Sequence, residues 1–395
     1  MCPNKLTPSW WELTAFLRRI SRRRLSREDA SVLAEFAHSH DIPWEALAAQ
    51  AEMDGVAGLM YVHLAKSVQA DVPTAIMDRL GSMYRKTCTE VQTILSVMQD
   101  LASQLSAADI PVMALQGLSL IDLYGDAGIR SLGDVDLMVH PRHKNRFKEL
   151  LRETGCTVPA SVYPDLLYMN DIWIDVHTDL LGQGRNRHRR HLFPEDLEPL
   201  WERAEPFFDN NRMFLRPALT DNLMALSAHA LKHGYSRLIW VVDLLETIRQ
   251  LTDHSAGWEA VHAAARFWHQ ERVLCYTILL LEKSFHLRVP DEVKQAAGVQ
   301  RLNSVERYLL RLKADGYSSD LIYPALGLFN LDGGGRKIAF LKETLFPRRT
   351  VMAQIKRDKG WSSGSCAYLQ RLAAALSLVA QDMEKAVRVA LRPNR

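Results

Sequence analysis

The stretch that decides the fold is RSLGDVDLMVH, residues 130–140. Asp134 and Asp136 sit one residue apart in an otherwise apolar run. Side chains alternate across a β-strand, so a strand over 134–139 sends Asp134, Asp136 and Met138 to one face and Val135, Leu137 and Val139 to the other. Two like charges on one strand face are costly unless water or a cation lies between them. The pair is therefore either a solvated face or part of a cation site.

The flanking sequence narrows the choice. Upstream, IPVMAL (110–115) is a short apolar run stopped by Gln116-Gly117, LSLIDLY (118–124) reads as a short helix, and GDAGIRSLG (125–133) as a glycine-rich loop. Downstream, Pro141 suits the first turn of a helix carrying Phe147, Leu150 and Leu151, which Gly155 closes. SVYPDLLYM, a turn at Asn170-Asp171 and IWIDVHTDL then read as a hairpin. In its second strand Trp173, Asp175, His177 and Asp179 share one face.

Outside this block the chain reads as helices. Residues 1–107 contain a start at Ser26 with Glu28 and Asp29, and a long amphipathic pattern through Ile76, Leu80, Tyr84, Val91, Ile94, Leu95, Met98 and Leu101. From about 220, TDNLMALSAHALKHG and RLIWVVDLLETIRQL continue as helices, and a last amphipathic stretch covers roughly 364–392. Segment 314–337 is looser, and Gly333–Gly335 lacks the lysine-hydroxyl context of a phosphate loop, so it reads as a linker.

Gly117 ends a strand and opens a helix, where free backbone N–H groups and the helix dipole favour a phosphate, and Ser119 adds a hydroxyl one turn in. Asp134, Asp136 and Asp175 converging beside such a turn are what metal-dependent phosphoryl transfer needs. Cations there neutralise a triphosphate, lower the acceptor hydroxyl's pKa and steady the leaving oxygen. Carboxylate oxygens suit Mg²⁺ or Mn²⁺.

The segments ALQGLSLIDLY, GIRSLGDVDLMV and WIDVHTDL together resemble the nucleotidyltransferase superfamily typified by DNA polymerase β. More narrowly they resemble a bacterial family of uncharacterised nucleotidyltransferases. Its turn is matched by Gln116–Leu120, its Asp-x-Asp motif by Arg130–Val139 and its third-carboxylate strand by Ile174–His177. Its later H-x-x-x-H and W-x-x-D segment is matched by His229 to Asp243, and LFPRR at 345–349 is also similar. The similarity runs over roughly residues 45–385.

The resemblance implies an α+β fold with a mixed-sheet, polymerase β-like core at 108–215 between helical regions 1–107 and 216–395. It implies Asp134, Asp136 and Asp175 as metal ligands, Gly117 and Ser119 on the β- and γ-phosphates, and Arg130 on phosphate or leaving pyrophosphate. The expected chemistry is transfer of an NMP from an NTP to a hydroxyl or phosphate of a small molecule, sugar, peptide or protein. Two departures are plain: Gln116 stands where a lysine is expected, and the turn reads Gly-Leu-Ser instead of Gly-Ser.

Other motifs keep two readings. His177 either orients a ligand or is a hydrogen-bonded surface residue. His229, Lys232 and His233 share one helix face and either bind nucleotide phosphate or pack between helices; HxxxH lacks a third zinc ligand. Asp243 pairs with Arg237 or one of those histidines. The run Arg185–Arg190 either clamps phosphates or is a mobile basic loop, and the arginines at 18, 19 and 22–24 read as a solvated face or a contact for an acidic partner.

The 395 residues, 47% hydrophobic and 24% charged, can build two or three domains. A net charge of +3 and the absence of an aromatic-basic module argue against nucleic acid as partner. Five scattered cysteines fit a reducing compartment. MCPNKLTPSWWEL lacks a signal-peptide core, and no window approaches ~18 apolar residues, so a cytoplasmic protein without a membrane span is expected. Alternatives to nucleotidyl transfer are a non-catalytic nucleotide-binding scaffold, to which Gln116 points, and phosphoryl transfer on the same metals.

Overall fold

The computed structural model describes residues 7–66, 72–159, 165–184, 186–208, 212–252, 257–317, 319, 321–359 and 366–390. Residues 1–6 of the N-terminal stretch, 161–164 of the expected hairpin, Arg185 of the basic run and the ends of the last amphipathic stretch lie outside them. Among the described residues no helix is long and apolar enough to cross a membrane.

The N-terminal region is helical. Ser9 and Glu12 form a reciprocal capping box at the start of α1 (Trp10–Ile20). Ser26 caps α2 (Arg27–Ser39) by accepting from the Asp29 N–H. Then come α3 (Trp44–Met53), α4 (Ala57–Lys66) and the 35-residue α5 (Thr74–Ala108) that the long amphipathic pattern announced.

Six strands form one mixed sheet: β1 (Val112–Ala114), β2 (Val135–Val139), β3 (Leu166–Met169), β4 (Ile172–His177), β5 (Glu205–Pro206) and β6 (Phe214–Arg216), in the order β3-β4-β2-β1-β6-β5. The 118–124 segment, expected as one helix, is two single turns, α6 (Gln116–Ser119) and α7 (Ile121–Tyr124), because Leu120 leaves helical geometry and Gly125 at φ 67° stops the chain. Pro141 opens a 3₁₀ turn into α8 (Lys144–Glu153). The hairpin turns at Asn170 (φ 50°) and Asp171 (φ 62°), the left-handed pair that a tight two-residue turn requires.

Alternation along the strands divides the sheet into two faces. Val112, Ala114, Val135, Leu137, Val139, Ile174 and Val176 lie in one core with the second half of α5 (Ile94, Met98, Leu101, Leu105) and with Phe147, Leu150 and Leu151 of α8. Met113 and Met138 on the other face belong to a larger core that reaches from α1 to the C-terminal helices. The acids of β2 and β4 lie on this second face, between the sheet and the helices that cover it.

After α9 (Glu198–Glu202) the covering helices are α10 (Leu219–Lys232), α11 (Leu238–Thr252), α12 (Gly257–Phe267), α13 (Glu271–Phe285), α14 (Asp291–Ala297) and α15 (Ser304–Ala314). The segment expected to be loose contains α16 (Ile322–Phe329). The glycine run is no linker: Gly333 at φ 79° caps α17 (Gly334–Leu345), a cap that favours glycine. Next come α18 (Arg349–Lys359) and α19 (Cys366–Ala390).

The glycine-rich loop before β2 is locked by close backbone approach. A Cβ on Gly58 of α4 would stand 2.0 Å from the Gly128 carbonyl oxygen, and one on Gly128 would stand 2.2 Å from the Tyr84 ring. The Tyr84 hydroxyl donates to Asp126 (2.9 Å), whose carboxylate also accepts from the Gly128 N–H (2.9 Å). Gly58→Ala or Gly128→Ala is expected to lower stability by about 1–3 kcal/mol or more through overpacking. Gly133→Ala, with nothing within 4 Å of the added carbon, is the near-neutral control in chemical denaturation.

Candidate active site

Parallel pairing of β2 with β4 puts Asp136 directly beside Asp175. Asp136 is 7% exposed on a strand buried along its whole length; Asp175 is half-buried. His177, two residues on, turns back to the same place. Its Nε2 lies 2.8 Å from Asp136 Oδ1 and 3.5 Å from Asp175 Oδ2. One ligand atom from each of the three residues falls within 4.8 Å of the others.

Burial alone would lower the His177 pKa, but the hydrogen bond to Asp136 and the charges of Asp136 and Asp175 outweigh it and raise the value. The imidazole is thus held towards its cationic form, as the local counter-charge of two aspartates. Asp134 stands one residue before β2, outside that three-atom cluster. Although its surface is exposed, burial around the carboxyl, with Asp136 and Asp175 nearby, pushes it up to about 7. Three acids gathered here, two of them side by side with an imidazole, could hold a divalent cation.

Lys232, the last residue of α10, faces these acids from the covering helices. Burial, and then Arg189, push its ammonium down to about 8, while Asp136, Asp175 and Asp179 pull it back. His229, one turn earlier, is buried without a hydrogen bond to either ring nitrogen among the described residues. Burial, followed by Lys232, His233 and His177, keeps its pKa well below the usual histidine value. His233 packs against Trp240 with ring centroids 4.8 Å apart.

The basic run is an ordered 3₁₀ turn, Arg187–His191, not a mobile loop. His188 is buried against Tyr323 and Phe340, and Arg190 pairs with Glu343 at 2.6 Å. Arg189 donates to the Leu181 carbonyl at 2.8 Å and lies within electrostatic reach of Lys232. Asp179 orders the preceding loop by accepting from the N–H groups of Leu181, Gln183 and Gly184.

The glycine turn lies alongside. The Leu115 N–H donates to the Asp136 carbonyl (3.0 Å), and Gln116 adopts a left-handed φ of 50°. The helix it opens is a single turn, too short to bring the summed dipole expected of a phosphate-binding helix. Ser119 points to the scaffold: its hydroxyl donates to the Gln116 carbonyl (2.7 Å) and accepts from Asn222 of α10 (2.9 Å). Gly117 makes room for Arg130, since a Cβ there would stand 2.7 Å from Arg130 Nη2.

Arg130 is itself buried, at 5% exposed. Its Nε and Nη2 donate to the two oxygens of Asp243 at 3.0 and 2.8 Å, and Nη1 donates to the Ser131 carbonyl. Tyr124 donates to the same carboxylate at 2.5 Å. The partners of Asp243 are therefore Arg130 and Tyr124, in place of Arg237 or a histidine. The guanidinium is spent within the fold, one layer behind the acids.

Acids on adjacent strands lie beside a glycine turn and under a lysine-bearing helix, a donor set that could hold a divalent cation. The family model described as uncharacterised nucleotidyltransferase matches residues 40–286, a span that includes every residue of this site, and the chain belongs to that family. No curated protein and no solved structure matches the chain.

His177 as third member of the cluster had a sequence signal, since it shares the alternating face of Asp175. Tyr124 had none. Removing either partner of the buried pair, by Asp243→Ala or Arg130→Ala, strands a charge and is expected to destabilise the fold by about 3–5 kcal/mol, read as a large drop in thermal midpoint.

Proposed function

We propose that the protein transfers the nucleotidyl group of a nucleoside triphosphate to a hydroxyl or phosphate oxygen of an acceptor, and that Asp134, Asp136 and Asp175 hold Mg²⁺ or Mn²⁺, with His177 hydrogen-bonded beside them. The observation that carries this reading is the register that sets Asp136 beside Asp175 on parallel strands, in a chain of the nucleotidyltransferase family. In the reaction an acceptor oxygen forms a bond to the α-phosphorus, the bond from that phosphorus to the α–β bridging oxygen breaks, pyrophosphate leaves and the acceptor's proton passes to solvent. A bound cation would neutralise the triphosphate and acidify the acceptor hydroxyl.

The chain's own residues do the rest. Lys232 and Arg189 supply positive charge opposite the acids, which offsets Gln116 at the position where a lysine is expected. The Gly117 turn offers backbone N–H groups, held in place by Ser119 with Asn222 and by Arg130 with Asp243. The polymerase β-like core is assigned to residues 108–215, with the helices of 1–107 and 216–395 shaping the acceptor side.

The test uses each NTP labelled in turn at the α- and γ-phosphate, with Mg²⁺ and a cell extract as acceptor pool. Label from the α-position is expected to move with wild type, and to fall by on the order of 10²-fold or more with Asp136→Asn/Asp175→Asn. Movement of γ-label alone identifies a phosphotransferase. Binding of Mg-NTP without movement of either label identifies a scaffold.

Lys232→Met separates binding from chemistry. It removes a charge-assisted contact to the triphosphate, and KM for the NTP is expected to rise about 10- to 100-fold in steady-state kinetics. An unchanged KM assigns the lysine to packing.

A further inference from the structure

Away from the acids, a cavity of about 180 Å³ lies between α1, α3, the loop joining α10 to α11, α13 and α15. Leu13, Leu17, Leu47, Val241 and Leu280 make much of its wall apolar. Two cations, Arg18 and Lys313, border the same space. Lys313 is 9% exposed, and its ammonium makes no hydrogen bond or ion pair among the described residues. Arg18 donates to the main-chain carbonyl of Lys313 (2.9 Å) and has no carboxylate within ion-pair distance among the described residues.

Negative charge also reaches these groups: Asp54 lines the cavity and acts on both cations, and Asp315 acts on Arg18. Asp54 accepts from the Gln50 side chain at 2.8 Å and from the Leu238 N–H at 3.2 Å. Tyr235 is fully buried and borders the same space. A buried ammonium beside a largely apolar space is costly to keep, because Lys313 forfeits hydration without gaining a partner. The cost shows in the titration: burial pushes Lys313 down to about 8 and Arg18 down to about 10.

A ligand that gives the Lys313 ammonium a partner carries a negative charge and a short apolar body. We propose that the cavity is a binding site for a small monocarboxylate, whose carboxylate sits between Lys313 and Arg18 and whose hydrocarbon lies against Leu13, Leu17 and Leu47. A cavity of this size has room for a short acid. The guanidinium provides the flat pair of donors that carboxylates accept, and the ammonium provides the point charge. An occupant also touches Tyr235, Ser236 and Leu238, in the segment that joins Lys232 to α11.

The test is calorimetric titration of the full chain with hexanoate and with benzoate, alongside hexan-1-ol and hexylammonium as neutral and cationic probes of similar body. The carboxylates are expected to bind wild type at least about 10-fold more tightly than either control, and to lose about 10-fold or more in Lys313→Met and in Arg18→Met. Lys313→Met is also expected to melt at or above the wild-type temperature, because it removes a buried charge with no partner. No binding of either carboxylate to folded wild type, equal binding of hexan-1-ol, or unchanged affinity in both variants overturns the proposal. A Lys313→Met chain that melts well below wild type makes the ammonium a structural group and overturns it too.

Discussion

A carboxylate sealed inside a helix must find its counter-charge within the fold, and Asp243, 1% exposed in α11, finds it 113 residues upstream in Arg130. That single pair determines much around it. Arg130 stands four residues before Asp134, so fixing its guanidinium fixes the path by which the chain enters β2. Tyr124 joins the same carboxylate, which ties the two short turns after β1 to α11. Gly117 must lack a side chain because Arg130 occupies the space. The acids themselves are thus presented by a segment clamped at both ends, by Asp243 at one and by strand pairing at the other.

In front of that clamp the electrostatics point the other way. Asp136 and Asp175 lie in register, His177 is their counter-charge, and Asp134 shares the excess negative potential. Lys232 and Arg189 approach from the helices and the 3₁₀ turn. The opposite charges are set against each other from separate elements, each cation carried by its own stretch of backbone. Arg189 is held to the Leu181 carbonyl, and Lys232 ends a long helix. The helical cover is therefore part of the site, and two of its charged groups, Arg189 and Lys232, come from residues beyond 180.

Much of this was legible in the sequence. Alternation in IWIDVH gave the correct faces of β4 because one face is buried and the other faces the cleft, the case in which period two is clearest. The glycine turn, both strand acids, the hairpin turn and the long helix before the sheet were also readable, as all are written in local pattern. What escaped was non-local. Residue type shows that Arg130 is a cation but not that its partner lies in α11. Ser119 has a hydroxyl whose direction depends on Asn222. Gly128 looks like loop punctuation until Tyr84 and α4 are packed against it. The edge strand β5 and its neighbour β6, of two and three residues, are too short to show any period.

The helix α5 spans 35 residues, about 52 Å at 1.5 Å per residue, and belongs to both cores. Its first half packs among the N-terminal helices through Ile76 and Leu80, and its second half roofs the sheet through Ile94, Met98, Leu101 and Leu105. A fragment beginning after it would leave Val112, Val135 and Ile174 facing water. The acid-bearing strands are therefore not a cassette that recombination could move by itself. They can be inherited, shuffled or grafted only together with the helix that precedes them.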